Sequence, residues 1–473
     1  MQIKTDQFVE AANAALKDKY ARTFLDGMYI KVKERLKSME TFPDPSAARE
    51  LGAAIRAESV AKLPELLEEF EKNATARGAR VIWARNAAEA NQFIIGLARD
   101  NGIKYVTKGK SMVTEEIGLN DALVENGIDV FETDLGEFII QQLDRTPFHI
   151  VGPAINIPVE EIRDIFLKNK ILDQPTLDPI ELGYAARRFL RKKFQWLEMG
   201  ITGINIAVAE TGTIINVENE GNIRLNKSSP RIQVSIMSLE KVVPTMNDAV
   251  HLLRLLCRNS TGQKLSAYVS MDSGPKADDE IDGPSQLYIV IVDNGRSNFY
   301  ADLEAREVLS CIRCGACLGS CPVYAKIGGY PYGWAYSGPI GQLLNPLLLG
   351  LDKTGDLYRA STLCGNCKSV CPVGIDHPNL FLYFRSLDVE KNSSFKAGGR
   401  PRKESLFFAL WSWVANRSRR WIFLIKLTRP LINRYTQNKP LSKGIGSLDQ
   451  WLKARDLPQL PKRTFRERWT QMK

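Results

Sequence analysis

Cys311-Ile-Arg-Cys314-Gly-Ala-Cys317-Leu-Gly-Ser-Cys321-Pro322 is the stretch that decides how this chain is read. Its rhythm, C-x2-C-x2-C-x3-C-P, is the bacterial ferredoxin run that holds a [4Fe–4S] cluster. Three closely spaced thiolates let one tight loop wrap three corners of a cubane. Gly315 lets the backbone approach the inorganic sulfides, which accept N–H hydrogen bonds. Pro322 stops the loop from continuing as it began.

The frame recurs as Ser361-Thr-Leu-Cys364-Gly-Asn-Cys367-Lys-Ser-Val-Cys371-Pro372, with serine in place of the first cysteine. In two-cluster proteins the fourth cysteine of each run serves the other cluster. That rule gives Cys311, Cys314, Cys317 and Cys371 to cluster one. It gives Cys321, Cys364 and Cys367 to cluster two, which has only three thiolates. The fourth iron of cluster two then has Ser361, water or another subunit's group as its ligand, or is missing from a three-iron cluster. Cys257, the eighth cysteine, has no motif spacing around it and reads as a small buried hydrophobe in the helical run Asp248–Cys257. Zinc is the competing reading, but zinc sites often recruit histidine, and only His149, His251 and His377 exist. Clustered cysteines without an export signal point to redox chemistry in a reducing compartment, so a cytoplasmic location is expected.

The 473 residues suggest two to four domains, and 44% apolar with 25% charged residues is ordinary globular composition. Met1–Leu16 has no apolar core or cleavage pattern, so no signal peptide is expected. No uninterrupted run is long enough for a transmembrane helix. The net charge of +10 is uneven. Residues 391–473 hold 20 basic and 4 acidic residues, a net of +16, whereas the other 390 hold 44 and 50, a net of −6. Within the tail, Ser405–Leu427 sets two apolar, Trp-rich blocks around an arginine cluster. That pattern predicts a docking helix pair, for a partner or for peripheral contact at the inner face of a membrane. No nucleic-acid fold motif accompanies the charge, so nucleic acid is not an expected partner.

Helical spacing marks Phe8–Leu16 and Leu51–Phe70. Alternation then predicts strands at Arg80–Ala84, Lys104–Thr107, Ile128–Phe131, Ile204–Ala209, Thr213–Val217, Ile232–Met237 and Leu287–Val292. Helices are predicted at Asn86–Asp100, Thr114–Asn126, Val159–Lys168 and Ile180–Leu197. Strands alternating with helices imply an open, mostly parallel α/β sheet. The expected domains are a helical segment 1–70, an α/β domain 71–297, an α-helical two-cluster ferredoxin-like domain 298–390 and the basic tail 391–473. Ile327–Pro346, between the cysteine runs, reads as irregular chain covering the clusters.

Thr107-Lys-Gly109-Lys110-Ser111 resembles the end of a P-loop, but Lys104 stands where the first glycine is needed. No dinucleotide fingerprint follows a strand, so no nucleotide is expected. Glu132-Thr133-Asp134 and Glu240-Lys241 are charged groups at strand ends, where open α/β sheets place their sites. Solvated loop charges or structural ion pairs explain them equally well.

The chain resembles the B component of the lactate-utilisation iron–sulfur proteins, in which a LUD domain precedes a two-cluster ferredoxin-like domain. The matching strings include Lys110-Ser-Met-Val-Thr-Glu-Glu-Ile-Gly118, Glu132-Thr-Asp-Leu-Gly136, Ala209-Glu-Thr-Gly212 and Asn219-Glu-Gly-Asn222. They continue with Glu240-Lys-Val-Val-Pro244, Thr261-Gly-Gln263, Asp293-Asn-Gly-Arg296, Cys311–Tyr324 and Gly338-Pro-Ile-Gly341. The family also carries a small residue where Ser361 stands. It tends to have Thr-Leu-Pro and a histidine where this chain has Ser228-Ser229-Pro230 and Gln233, so no role resting on that histidine carries over. The resemblance implies a ribose-isomerase/CoA-transferase-like LUD fold. It also implies oxidation of L-lactate to pyruvate together with a cysteine-rich protein and a small LUD-domain protein. The expected role is that of a non-catalytic electron-transfer subunit carrying two [4Fe–4S] clusters. The alternative is a catalytic subunit that binds the 2-hydroxy acid at the LUD domain or at the three-cysteine cluster.

Overall fold

In the computed structural model, residues 3–399, 402–436, 449, 452 and 455–472 are described. Six strands form one all-parallel sheet: β1 (Arg80–Ala84), β2 (Tyr105–Lys108), β3 (Asp129–Glu132), β4 (Met199–Gly203), β7 (Ile232–Ser238) and β10 (Gln286–Val292). Their order is β1-β10-β7-β4-β2-β3. A second sheet of four strands runs β8-β5-β6-β9, from β5 (Ile206–Val208), β6 (Thr213–Glu218), β8 (Val242–Val243) and β9 (Tyr268–Asp272). β5 pairs parallel with β8 and antiparallel with β6, which pairs antiparallel with β9.

The central strands are apolar on both faces because both faces are covered. On one face, Val234, Ile236, Val290 and Val292 pack with Ala90, Ile94 and Ala98 of the helix Ala87–Asp100. On the other, Met237, Leu287, Ile289 and Ile291 join a core shared with the second sheet, the N-terminal helices and the cysteine region. That core includes Ile55 of helix Pro45–Ala61 and Leu66, Leu67 and Phe70 of helix Leu63–Ala76. Each such side chain contributes roughly 1.5–3 kcal/mol by leaving water.

The expected strands appear with shifts of a residue or two, and Arg80–Ala84 and helix Val159–Lys168 appear unchanged. The helical stretch Leu51–Phe70 falls across two helices, Pro45–Ala61 and Leu63–Ala76, broken at Lys62, and three further features differ. The helix expected over Thr114–Asn126 is two helices, Met112–Glu116 and Leu119–Glu125, because Gly118 turns left-handed at φ 63°. β4 in the parallel sheet and β8 and β9 were not anticipated, and the expected strands β5 and β6 pair with β8 and β9 in a second sheet rather than in the parallel one. The loop expected over Ile327–Pro346 runs into the helix Gly338–Leu349, with Pro339 in its first turn and Pro346 inside. Proline suits a first turn, since its missing N–H has no partner there.

The chain forms two compact units, Met1–Gly398 and Gly399–Lys473. The second contains helices Arg402–Ala415, Ser418–Tyr435 and Phe465–Met472. The first two take up the expected helix pair: Trp411 packs edge-on against Trp421, and the Arg420 guanidinium lies 3.9 Å from the Trp413 ring. Leu406, Phe407, Phe423 and Leu427 are exposed. Residues 400–401, 437–448, 450–451, 453–454 and 473 of the expected tail lie outside the described residues. Among the described residues, no helix is long and apolar enough to cross a membrane.

Candidate iron–sulfur centre and adjoining cavity

The two cysteine runs fold alike. Arg313 and Leu363, each one residue before a cysteine, have φ of 60° and 53°. Gly315 and Gly365, each one residue after, have φ of 75° and 81°. Two left-handed turns around one cysteine curl each run into a tight loop, and a short helix follows, Ala316–Gly319 or Asn366–Ser369. Glycine bears its turn without strain; Arg313 and Leu363 bear theirs at a cost of about 1 kcal/mol or more.

These turns bring the thiols into two sets. Burial raises the Cys314 thiol to about 12, with Cys371 and Cys311 adding to it. Burial also raises Cys317, followed by the influence of Cys311, Cys314 and Cys371. Cys371 is pushed up to about 11 by burial and then by Cys311, against backbone N–H groups that point at its sulfur. The second set couples Cys321 to Cys364, and Cys367 to both. The structure thus groups Cys311, Cys314, Cys317 and Cys371 apart from Cys321, Cys364 and Cys367. Each set takes a cysteine from the other run. Ser361 Oγ accepts from Leu363 N at 3.1 Å. Cys257 is buried in helix Met246–Ser260.

The spacing of the thiols tests which group they suit. A zinc ion holding thiolates at about 2.3 Å brings their sulfurs to roughly 3.8 Å. Among the described residues, only Glu115, Glu132 and Glu137 form a group of three whose ligand atoms all lie within 4.8 Å of one another. No three sulfurs come that close, so neither set is drawn in to the spacing of a zinc site. Backbone N–H groups directed at sulfur stabilise thiolates: Ala316 to Cys314, Ile340 to Cys317, Tyr324 to Cys321, Asn366 to Cys364 and Lys368 to Cys367. The sets differ in depth. Cys314, Cys317 and Cys371 are buried with Cys311 half-buried, whereas the second set, with Cys321 and Cys367 buried, reaches the surface at Cys364 alone.

Cations surround the first set. Arg35 Nη2 and Nε donate to Ser260 O at 2.9 and 3.1 Å, and its charge acts on Cys314 and Cys317. Arg56, fully enclosed, donates to Glu240 O at 2.6 Å and Leu309 O at 2.8 Å. Arg313 Nη2 donates to Glu240 Oε1 at 2.6 Å. Glu240 lies just beyond β7, at the carboxyl edge of the parallel sheet, and its side chain is fully buried. Arg296 Nε stands 2.9 Å from Glu240 Oε2, paired as charges although its N–H is not directed at that oxygen. Arg296 also holds Glu116 at 2.7 and 2.8 Å, and Tyr336 OH donates to Glu116 at 2.6 Å. Burial alone would raise the Glu240 carboxyl, but Arg296 and Arg313 outweigh it and bring it to about 2. Sequence reading flagged Glu240 only as a charge at a strand end. Arg296, Arg313 and Glu116 come from three distant segments, and no local signal links them.

The same edge borders a cavity of about 310 Å³. Lys110, Ser111 and Asp134 follow β2 and β3, Asn205 follows β4, and Lys241 follows β7. Arg313 and Tyr336 close the side toward the first thiol set. Lys110 Nζ donates to Val151 O at 2.7 Å, and Asp134 caps Glu137 N at 3.0 Å. Lys241 is buried, and burial, with Arg313 beside it, lowers its ammonium to about 8. Glu132, the other flagged acid, pairs with Lys108 at 2.7 Å, with both side chains buried. Gln233 is buried within β7 and donates to Thr202 Oγ1 at 2.9 Å.

Comparison with known proteins agrees with this architecture. Residues 67–292 match the LUD domain family and residues 307–375 the 4Fe-4S dicluster domain. Lactate utilization protein B of Bacillus cytotoxicus is 40% identical over 468 residues, spanning 99% of this chain and 97% of its own. The protein of that name from Bacillus thuringiensis is 39% identical over the same span. A crystal structure of a DUF162 family protein from Deinococcus radiodurans aligns with 49% of this chain and 98% of its own, at 15% identity and a TM-score of 0.28. With a LUD domain, a 4Fe-4S dicluster domain and identity of this extent over nearly its whole length, the chain belongs to the lactate utilization protein B family.

Proposed function

We propose that this chain is the iron–sulfur electron-transfer component of a multi-component system that oxidises L-lactate to pyruvate. The observation that carries the reading is the pair of crossed thiol sets, one buried beside a cavity and one reaching the surface at Cys364. Cys311, Cys314, Cys317 and Cys371 would hold one [4Fe–4S] cluster, and Cys321, Cys364 and Cys367 the other. Each cluster, when bound, accepts and passes on one electron. The chain's own residues bury the first set, direct N–H groups at its sulfurs and surround it with cations. The second set, open to the surface at Cys364, would face the next redox protein. A cysteine-rich protein and a small LUD-domain protein are the proposed partners.

Anaerobic purification with an iron and sulfide count tests this. About eight irons per chain supports two cubanes, and about seven supports a three-iron second site. Zinc in place of iron would sink the reading. EPR during lactate titration, with and without the partners, then separates roles: reduction only after the partners are added marks an electron-transfer subunit. The basic tail, with its exposed Leu406, Phe407 and Phe423, is proposed to dock a partner or an anionic membrane surface. Flotation with anionic vesicles at low salt decides between them.

A further inference from the structure

Three acids meet one cation at the carboxyl ends of β2 and β3. Glu132 closes β3, Glu115 lies in the helix Met112–Glu116, and Glu137 lies in the helix Leu135–Gln142. One carboxylate oxygen from each lies within 4.8 Å of the others. Lys108, the last residue of β2, stands against them with a side chain 1% exposed. Its ammonium carries three N–H groups, and three oxygens meet it: Thr114 Oγ1 at 2.9 Å, Glu115 Oε1 at 2.8 Å and Glu132 Oε1 at 2.7 Å.

No donor of Lys108 remains for Glu137. That residue is 3% exposed, and among the described residues its carboxylate accepts no hydrogen bond and has no cation within ion-pair distance. Lys110 acts on it from farther off, but the Lys110 ammonium donates to Val151 O at 2.7 Å and stands 3.9 Å from Asp134. Two further oxygens of the group are unanswered. Glu132 Oε2 and Asn120 Oδ1 are buried without a hydrogen-bond partner, while Asn120 Nδ2 donates to Glu132 Oε1 at 2.7 Å. Glu115, Asn120, Glu132 and Glu137 all line a second cavity, of about 880 Å³. Buried oxygen acceptors of this kind call for a donor or a cation.

We infer that Glu115, Glu132 and Glu137, with the Asn120 carbonyl, bind a hard divalent cation of the Mg²⁺, Mn²⁺ and Ca²⁺ class in this cavity. The donor set is all oxygen, which suits these ions rather than zinc. The charge also matches. Lys110 is set against Asp134, so the three acids with Lys108 leave a net of −2 for the ion to neutralise. The cavity has room for the waters that such ions keep. The ion would tie the helix that follows β2 to the helix that follows β3. Its rival is a proton. Burial, then Glu115 and Glu132, push the Glu137 carboxyl well above its usual range, and the ion would take that proton's place.

The test is anaerobic equilibrium dialysis of the iron-loaded full chain against Mn²⁺, with bound manganese counted by atomic spectrometry and Mg²⁺ and Ca²⁺ as competitors. One Mn²⁺ per chain is expected, displaced by Mg²⁺ or Ca²⁺. Glu137→Gln and Glu115→Gln should each weaken binding by about tenfold or more, since even groups that only orient a metal's ligands are worth about 10–100-fold. Glu58→Gln, at an exposed pair with Lys62, should change nothing. Thermal unfolding gives a second readout: Mn²⁺ should raise the midpoint of the native chain and leave that of Glu137→Gln where it was. Glu137→Gln keeps the side chain's size and removes a buried charge, so folding is not endangered. Cluster absorbance checks that the thiols of each variant are loaded. No Mn²⁺ retained at millimolar concentrations would leave the acids to a shared proton and overturn the proposal. Binding that both substitutions leave unchanged, or that neither Mg²⁺ nor Ca²⁺ displaces, overturns it as well.

Discussion

Glu240→Gln removes one negative charge from a fully buried site while keeping side-chain size. In the native structure Glu240 answers two guanidiniums, Arg313 at 2.6 Å through a directed bond and Arg296 at 2.9 Å. Arg296 keeps Glu116 after the substitution. Arg313, with a side chain 8% exposed, keeps no carboxylate. Breaking one partner out of a buried pair costs about 3–5 kcal/mol, because the remaining charge stays out of water. Anaerobic urea titration followed by circular dichroism reads this directly. With a slope near 3 kcal/mol per molar, the midpoint falls by roughly 1–2 M. Acid titration adds a second readout. The Glu240 pKa is about 2 when folded, below its ordinary 4.5. Its contribution is therefore complete above pH 4.5 and lost as pH falls toward 2, so the variant loses that part of the slope. A double-mutant cycle completes the argument: Arg313→Gln should cost far less in the Glu240→Gln background than in the native chain. A midpoint shift of only a few tenths molar, or two fully additive costs, would refute the reasoning.

His149 gives a similar sign through a base. Burial, then Arg35 and Lys110, hold its imidazole near 3, and Nδ1 accepts from Val151 N at 3.1 Å. Its stability contribution is present above pH 6.5 and is lost as pH falls from there toward 3. His149→Asn should flatten the stability curve over that window, and parallel curves would contradict the assignment. Cys257→Ala should leave the iron count unchanged and cost about 1 kcal/mol, as for a small buried hydrophobe. Cys367→Ala should lower the iron count, and an iron count that instead fell with Cys257→Ala would reassign the ligands.

The parts legible in sequence were those set by local spacing. The cysteine frame showed the two loops, because left-handed turns at Gly315 and Gly365 need glycine beside a cysteine. Alternation found seven strands, because each carries its apolar pattern within itself. The second sheet was not legible. β8 is only two residues long, and β9 is half polar on an edge where one side faces water. The helix Gly338–Leu349 was hidden by its two prolines. Pro346 withholds the N–H that would have reached the Gln342 carbonyl and crowds that carbonyl with its ring, and burial of a leucine-rich face with Leu343 and Leu344 outweighs that cost. The buried charge cluster was illegible for a different reason. Glu116, Glu240, Arg296 and Arg313 lie in segments that meet only once the sheet and the cysteine loops have packed.

That packing joins the two domains chemically as well as sterically. Thiolates gathered in a buried set repel one another, and adding an electron there adds more negative charge. Arg35 and Arg56 from the N-terminal helices, Lys241 from the LUD domain and Arg313 from the loop itself all act on the first set. The influences on Cys321 and Cys367 of the second set are burial, backbone N–H groups and one another. Nearby cations favour the more negative state, so the first set should take up an electron more readily than cation content at the second would allow. A redox titration followed by EPR should therefore resolve two steps. Arg56→Gln should move only the step belonging to Cys311, Cys314, Cys317 and Cys371. A single unresolved step, or one that Arg56→Gln shifts at both sets equally, would show that the LUD domain and N-terminal helices do not tune the buried set.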